Sequence, residues 1–318
     1  MVAKNHSNGA SRRRFSERLQ AFSTDSAKER FLREQALLPA LPALQGLGFS
    51  VPAVAVPDPA PMDAQASAEC QVLERLVAAG VEFSLAGASL AAWTLYRIPS
   101  QRQRRDVLLL MPLSSCRLSQ TVLSDLGFRV ARRQSAITRE EVWCHSSSDT
   151  PVRPVLRWGL CDHPLLSRRF SISGALAHSG PLDGPIDGLR GLDRVYSVLY
   201  MALQYFDRWA ARPLLIDLLD QDLAWRALTE EDRQVLLQLA RQRGVAGLVE
   251  AHLRVVRDVF GTPVPNEMLN SLAQSARHER TTRLIGATGS RFRYHWLAAS
   301  SAQGLRPRWR HLITALRG

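Results

Sequence analysis

An apolar run that begins with a single acid constrains the fold more than any other stretch of this 318-residue chain. The segment 106–112, DVLLLMP, has the length and continuous apolar character of a buried strand. The preceding segment 87–96, GASLAAWTLY, is typical of a short helix that begins at a glycine turn. A buried strand preceded by a helix predicts a sheet covered by helices, with Asp106 at the entry of the strand.

Further predicted elements on either side of this strand complete a sheet. The segment ECQVLERLVAAG is typical of a helix that ends at Gly80, and VEFSLAG alternates as a strand does. After the central strand, SSCRLSQTVLSDLG predicts a helix whose N-cap is Ser114 or Ser115. Three more strands follow as FRVARRQ, EEVWCHS and VRPVLRWG. This order predicts an α+β fold in which helices cover one side of a mixed sheet.

The second half of the chain has helical periodicity. The segment TEEDRQVLLQLARQRG predicts a helix with Thr229 as N-cap and Asp232 in the capping-box position. The residues expected on the buried faces of this helix and the next are Val235, Leu236, Leu239, Ala240, Leu248, Val249, His252 and Val256. Among them, His252 is expected to be a hydrogen-bonded core or boundary residue. Asp217 and Asp220 are expected to be helix-surface charges rather than an acidic site.

Length and composition divide the chain into four predicted parts. With 46% hydrophobic residues, the chain can bury the cores of two folded units. Residues 1–66 are predicted to be a flexible basic leader and a Pro/Ala-rich linker, because prolines between residues 39 and 67 interrupt any continuous helix. We predict an α+β domain over 67–185, an α-helical domain over 186–276, and a basic, aromatic-containing extension over 277–318.

Arginine supplies almost all of the positive charge. Lys plus Arg outnumber Asp plus Glu by 41 to 29, and Lys4 and Lys28 are the only lysines. Arginine makes planar, bidentate contacts with phosphate or carboxylate, which suits an anionic partner. The alternative is that a GC-rich genome encodes ordinary surface charge with arginine codons.

The C-terminal extension has the strongest charge bias. Residues 277–318 contain nine arginines and a single acid, with the aromatic residues Phe292, Tyr294, Trp296 and Trp309 among them. A final helix that packs on the helical domain and exposes its charged face accounts for this pattern. An anionic partner is the alternative, because basic and aromatic residues together suit single-stranded nucleic acid or an anionic membrane surface.

Cysteine spacing and apolar segments exclude several classes of protein. The four cysteines are widely spaced, which favours neither a zinc ribbon nor a disulfide-stabilised domain. The N-terminus lacks the continuous apolar core of a secretory signal, and prolines and Gln45 interrupt the later apolar stretch. We therefore expect no transmembrane segment and a cytoplasmic location.

The α+β half carries part of a family resemblance. Gly87, Leu90, Leu95 and Tyr96 fall on a K-G-x-x-L…L-Y segment, with Ala86 in the place of the lysine. The strand that begins at Asp106 falls on D-[IV]-D-L-L-V. A later strand matches [DE]-L-H-W through Leu156 and Trp158, and a W-x-L-x-x-H-P-L run continues through His163, Pro164 and Leu165.

The helical half extends these matches. Asp217 falls on the aspartate of a Y-D-I-A-L-L helix, and an F-G-x-P-V-P run follows from Phe260 to Pro265. Over roughly residues 81–269, the chain resembles the bacterial uncharacterised nucleotidyltransferase family within the DNA polymerase β-like superfamily. The helical half is the closer match.

The resemblance implies a polymerase-β-like nucleotidyltransferase fold and a reaction. The expected activity is transfer of NMP from an NTP to an unknown protein, peptide or saccharide acceptor, with Mg²⁺ as the cofactor. Asp106 is implied as the catalytic acid and metal ligand, and Gly87, Ser89 and Arg105 as the residues that bind the nucleotide. A role in a biosynthetic gene cluster, for peptide natural products or surface polysaccharides, is also implied.

The sequence departs from the family at the acids. Two-metal catalysis requires carboxylates that hold Mg²⁺ ions about 3.5–4 Å apart, and residues i and i+2 of a strand point the same way. Leu108 stands where the second acid is expected, Val155 where the third is expected, and Arg157 in the place of the family histidine. Two hypotheses follow: a nucleotidyltransferase with weak or lost activity, or an inactive protein that senses nucleotides or binds a partner.

Several residues offer alternatives at this site. Asp106 is expected to pair with Arg102, Arg104 or Arg105, or to cap the strand, in preference to binding a metal. The acids that could replace the missing carboxylates are Glu140, Glu141, Asp149 and Asp162. A zinc site could also be drawn from Cys144, His145, Cys161 and His163, although their spacing matches no zinc motif.

Overall fold

The computed structural model of the protein describes residues 25–49, 60–104, 106–132, 138–147, 152–184, 186–207, 214–287 and 290–316. Within these residues the fold is a mixed α+β structure, as the order of predicted elements indicated. None of the helices in these ranges combines the length and the apolar composition that a membrane span requires.

A mixed sheet of seven strands is the framework of the described chain. The strands are β1 (Ser84–Leu85), β2 (Asp106–Leu110), β3 (Phe128–Arg132), β4 (Glu140–His145), β5 (Arg153–Arg157), β6 (Ser179–Pro181) and β7 (Arg190–Leu192). Their order across the sheet is β3-β4-β5-β2-β1-β7-β6. The central strand β2 runs parallel to β5 and antiparallel to β1. The predicted strands are confirmed, and β6 and β7 are additions.

Helices make up most of the rest. Those that precede the last two strands are α1 (Asp25–Glu34), α2 (Leu41–Gly46), α3 (Ala60–Ala78), α4 (Gly87–Thr94), α5 (Leu113–Asp125), α6 (Pro164–Ser167) and α7 (Ile172–Ala177). The helical half contains α8 (Arg194–Asp207), α9 (Leu215–Ala227), α10 (Glu230–Gln242), α11 (Ala246–Phe260), α12 (Asn266–Ser275), α13 (Arg283–Ala287), α14 (Arg291–Ser301) and α15 (Leu305–Leu316).

The sheet and the helical half share one apolar core. Leu109 of β2 and Leu156 of β5 are fully buried in the same cluster as Leu203 of α8 and Trp225 of α9. The strand β7 also lies beyond residue 186, where the helical domain was predicted to begin, and it pairs with β1. Burial of apolar surface therefore joins the two halves into a continuous structure.

Residues 25–49 differ from the flexible leader that the composition predicted. Leu32 and Leu37 are fully buried in a second apolar cluster, together with Leu219 of α9 and Phe260 of α11. Leu32 lies on α1 and Leu37 follows that helix, so this largely charged segment still contributes apolar side chains to the core. Residues 1–24 of the predicted leader lie outside the described residues.

Three local predictions about helices have clear outcomes. Thr229 caps α10 and forms the capping box with Asp232, as predicted. The buried face of α10 is displaced, however: Val235 is 46% exposed, and Leu237 is buried instead. The predicted N-cap of α5, Ser114 or Ser115, was two or three residues too late, because Pro112 occupies that position.

Candidate functional site

A cleft of about 770 Å³ lies between the sheet and the helical half. The strands β2, β4 and β5 supply one wall, and α8, α9 and α11 supply the other. The residues that line it include Gly87, Leu108, Val155, Tyr200, Gln204 and His252. The cleft therefore includes the glycine turn and the central strand that the sequence singled out.

The glycine turn is held against the central strand. Gly87 has φ +59°, in the left-handed region that favours glycine. A Cβ atom there would lie 3.4 Å from Leu108 Cδ2 and 3.7 Å from Tyr200 Cε1. The Ser89 hydroxyl donates to the Asp106 carbonyl oxygen at 3.1 Å, and this side chain is fully buried. Gly87 thus faces the cleft, whereas Ser89 fixes the turn to β2.

Asp106 forms an ion pair with a residue on the neighbouring strand. Parallel pairing places Asp106 of β2 opposite Arg153 of β5, and the Arg153 Nε–H donates to an Asp106 carboxylate oxygen. The hydrogen bond to Asp106 raises the pKa of the Arg153 guanidinium. Arg102 and Arg104, which were predicted as partners of Asp106, form ion pairs with other acids, so the prediction was wrong for these two residues. Arg105, the third predicted partner, lies outside the described residues.

The positions of the missing acids are direct neighbours. The register of β2 and β5 places Leu108 opposite Val155, two residues along from the Asp106–Arg153 pair. Both side chains are apolar, nearly buried and part of the cleft wall. The three acid positions implied by the resemblance therefore meet on one patch of the sheet, and Asp106 is its single carboxylate.

Arg102 joins the loop before β2 to α9. Its guanidinium donates to both carboxylate oxygens of Asp220, at 2.8–2.9 Å, and to Asp217 at 2.8 Å. The Tyr96 hydroxyl donates to the same Asp220 carboxylate at 2.8 Å. Burial raises the pKa of Asp220 to about 6, although Arg102 opposes this shift. The prediction that Asp220 is a surface charge was wrong, because a buried arginine from the other half of the chain holds it.

A second buried pair lies beside the first. Arg104 donates from Nε to Glu69 of α3 at 2.8 Å, and Trp93 Nε1–H donates to the same carboxylate at 3.2 Å. Burial raises the pKa of Glu69, and the Arg104 charge works in the opposite direction. Both described arginines before β2 are therefore structural, and neither is available to an exposed anion.

Arg157 contacts two of the four acids that were predicted as replacements for the missing carboxylates, Glu140 and Asp162. It contacts Glu140 at 2.9 Å, Asp162 at 3.2 Å and Asp207 at 3.5 Å, and all of these groups are largely buried. Asp207 also accepts hydrogen bonds from the backbone N–H groups of Asp162 and His163, both at 2.8 Å. Burial raises the pKa of Asp162.

The remaining candidate acids do not supply a metal site. Glu141 accepts a hydrogen bond from Gln120 at 2.8 Å, and Asp149 lies outside the described residues. Within the described ranges, no group of three or more His, Cys, Asp or Glu side chains could hold a metal ion. The zinc alternative built on Cys144 and Cys161 is thus not supported there. Because the cleft carboxylates that are described face arginines, their chemistry does not fit a pair of Mg²⁺ ions.

Sequence reasoning missed several residues that shape the cleft. Arg153, Tyr200 and Gln204 were not singled out, and His252 was expected only as a core residue. Tyr200 and Gln204 lie four residues apart on α8, so a polar pair at helical spacing was the available signal.

Comparison with protein-family models, with curated proteins and with solved structures gives no match for this chain. The nucleotidyltransferase resemblance therefore stays a prediction.

Proposed function

We propose that this chain has a polymerase-β-like nucleotidyltransferase fold and binds a nucleotide without transferring it. The order of elements supports the fold: a glycine-led helix α4 joins β1 to β2, and β2 pairs in parallel with β5. The resemblance of residues 81–269 to nucleotidyltransferase motifs supports a nucleotide as the ligand. In this proposal the protein acts as a nucleotide-sensing or partner-binding module in a biosynthetic pathway.

The apolar patch of Leu108 and Val155 carries the proposal. Leucine and valine cannot ligate a metal, and Arg153 neutralises the carboxylate that remains beside them. Transfer of NMP by the two-metal scheme needs acids that hold both ions, activate the nucleophile and stabilise the leaving oxygen. Leu108 and Val155 stand in place of two of those acids, so the described residues of the cleft lack the ligands for that chemistry.

Arg153 gives the same cleft a way to hold phosphate. Its side chain is about 40% exposed, lines the same cleft as Gly87 and carries a permanent charge. A bound triphosphate would compete with Asp106 for this cation, in the place where an active enzyme uses Mg²⁺. Binding is therefore expected to be independent of metal.

Calorimetric titration with each NTP, in Mg²⁺ and in EDTA, tests the proposal together with a pyrophosphate-release assay. We expect binding of similar strength in both conditions and no pyrophosphate. Arg153→Met should weaken binding about tenfold or more, whereas Arg117→Met, an exposed arginine on α5, should leave it unchanged. Metal-dependent pyrophosphate release that disappears in Asp106→Ala would establish an active transferase and overturn the proposal. Absence of NTP binding would also overturn it.

A further inference from the structure

The helical wall of the cleft, which α8, α9 and α11 supply, contains buried polar atoms that have no partner among the described residues. His252 of α11 is 2% exposed, and neither of its ring nitrogens has a hydrogen-bond partner among the described residues. Gln204 of α8 is 9% exposed; its Nε2 donates to the Leu160 carbonyl oxygen at 2.9 Å, while its Oε1 has no partner in the same ranges. Both residues line the cleft. A buried polar atom without a partner costs stability, and because both of these residues line the cleft, a ligand bound there can supply the partners that the described residues do not.

Gln204, and through Tyr205 also His252, lies a short distance along α8 from the Gly87 turn. Tyr200 lies next to Gly87, and Gln204 follows it by one turn on the same face of α8, about 6 Å farther along the axis. The next residue, Tyr205, contacts the His252 ring at a centroid distance of 4.7 Å. A ligand with one end at the Gly87 turn therefore has to extend along α8 by only one or two helical turns to contact Gln204 and His252.

Gln204 and His252 on the helical wall are suited to contact an uncharged part of a ligand. Burial lowers the pKa of His252 to about 3, so the imidazole is neutral and offers one N–H donor and one acceptor. Gln204 adds an acceptor through Oε1. The complementary ligand presents at least one donor and one acceptor on a flat, neutral edge, and the aromatic ring of Tyr205 borders the same space.

We propose that Gln204 and His252 bind the nucleobase of the nucleotide whose phosphates lie at the Gly87 turn. This inference rests on the proposed function and specifies its ligand. Every nucleobase edge carries N–H donors or ring nitrogen and carbonyl acceptors that match the pair. A cleft of about 770 Å³ is within the range of about 300–1,000 Å³ that small-molecule sites occupy.

The test compares ligands that share phosphates and differ in the base. Calorimetric titration would use ATP, CTP, GTP, UTP and inorganic tripolyphosphate, with the full-length protein and the His252→Leu variant. At least one NTP should bind about tenfold or more tightly than tripolyphosphate. His252→Leu should weaken that NTP about tenfold and leave tripolyphosphate binding unchanged, because the variant removes contacts to the base alone.

A matched control separates a binding role from a structural one. Gln221 on α9 is fully buried, its amide atoms also have no partner in the described ranges, and it is not among the residues that line the cleft. Gln221→Leu should therefore leave NTP affinity unchanged. If His252→Leu did not fold, Gln204→Met would replace it, with the same expected loss for the NTP alone.

The outcomes separate this inference from the proposed function. Equal affinities for NTPs and tripolyphosphate, or unchanged NTP affinity in His252→Leu, would overturn base recognition and leave nucleotide binding through phosphates intact. Failure of every NTP and of tripolyphosphate to bind would overturn the proposed function itself.

Discussion

Replacement of His252 by leucine should make the protein less sensitive to acid. The imidazole is buried and neutral, because burial lowers its pKa from 6.5 to about 3. Between pH 6.5 and pH 3 the unfolded chain holds a proton on this residue that the folded chain does not. The free energy of unfolding therefore rises with pH across this window and falls as the solution is acidified.

The size of this effect follows from the two pKa values. At pH 7 the residue is mostly neutral in both states, so its contribution is small. At pH 5 the solution is 1.5 units below the ordinary value of 6.5, and each unit corresponds to 1.36 kcal/mol, so His252 destabilises the fold by about 2 kcal/mol. His252→Leu removes this loss, since leucine does not titrate and occupies the same buried position.

Urea unfolding at pH 7 and pH 5, followed by tryptophan fluorescence, measures the effect. The drop in unfolding free energy between the two pH values should be about 2 kcal/mol smaller in His252→Leu than in the unaltered protein. All other titrating groups are common to both chains and cancel in the comparison. Gln221→Leu should change stability equally at both pH values. An identical pH dependence in the protein and in His252→Leu would refute the reasoning.

Two further perturbations concern the cleft and its supports. Asp220→Ala should cost about 3–5 kcal/mol in urea unfolding, because the half-exposed Asp217 is then the one carboxylate that the described residues place against the buried Arg102. The double variant Arg102→Met/Asp220→Leu should recover most of this loss, and strictly additive losses would contradict the coupling. Gly87→Ala should cost about 1–2 kcal/mol, since alanine is strained at φ +59°. Gly286→Ala, a helical glycine with open space around its Cβ position, should cost nothing measurable, and equal losses at the two glycines would argue against backbone strain.

Strands and helices with strong local patterns were predictable from the sequence. The apolar run of β2 and the capped helix α10 carry their own signals in length, periodicity and capping residues. The short strands β6 and β7 have none, because three residues around a glycine form a strand only when a partner pairs with them. A Cβ at Gly191 of β7 would lie 2.5 Å from Leu90 Cδ1, so packing rather than strand propensity selects that residue.

The polar contacts of the cleft were less predictable, for a different reason. Asp106 was recognised as the acid of the central strand, but its partner Arg153 is 47 residues away and is selected by strand register. Asp220 and Arg102 are 118 residues apart, so no local pattern distinguishes Asp220 from a surface charge. The burial of His252 was predicted from helical spacing and is confirmed, whereas the predicted hydrogen bond was wrong within the described ranges, because side-chain partners depend on tertiary packing.

The packing of residues 25–49 has a practical consequence for shorter versions of the protein. A chain that begins at residue 67, the start suggested by composition, would lack Leu32 and Leu37. Their neighbours Ile216, Leu219 and Phe260 would then meet water as a contiguous apolar surface. Such a fragment is expected to aggregate or to associate with itself during expression. A fragment that retains the chain from before Asp25 keeps this surface covered.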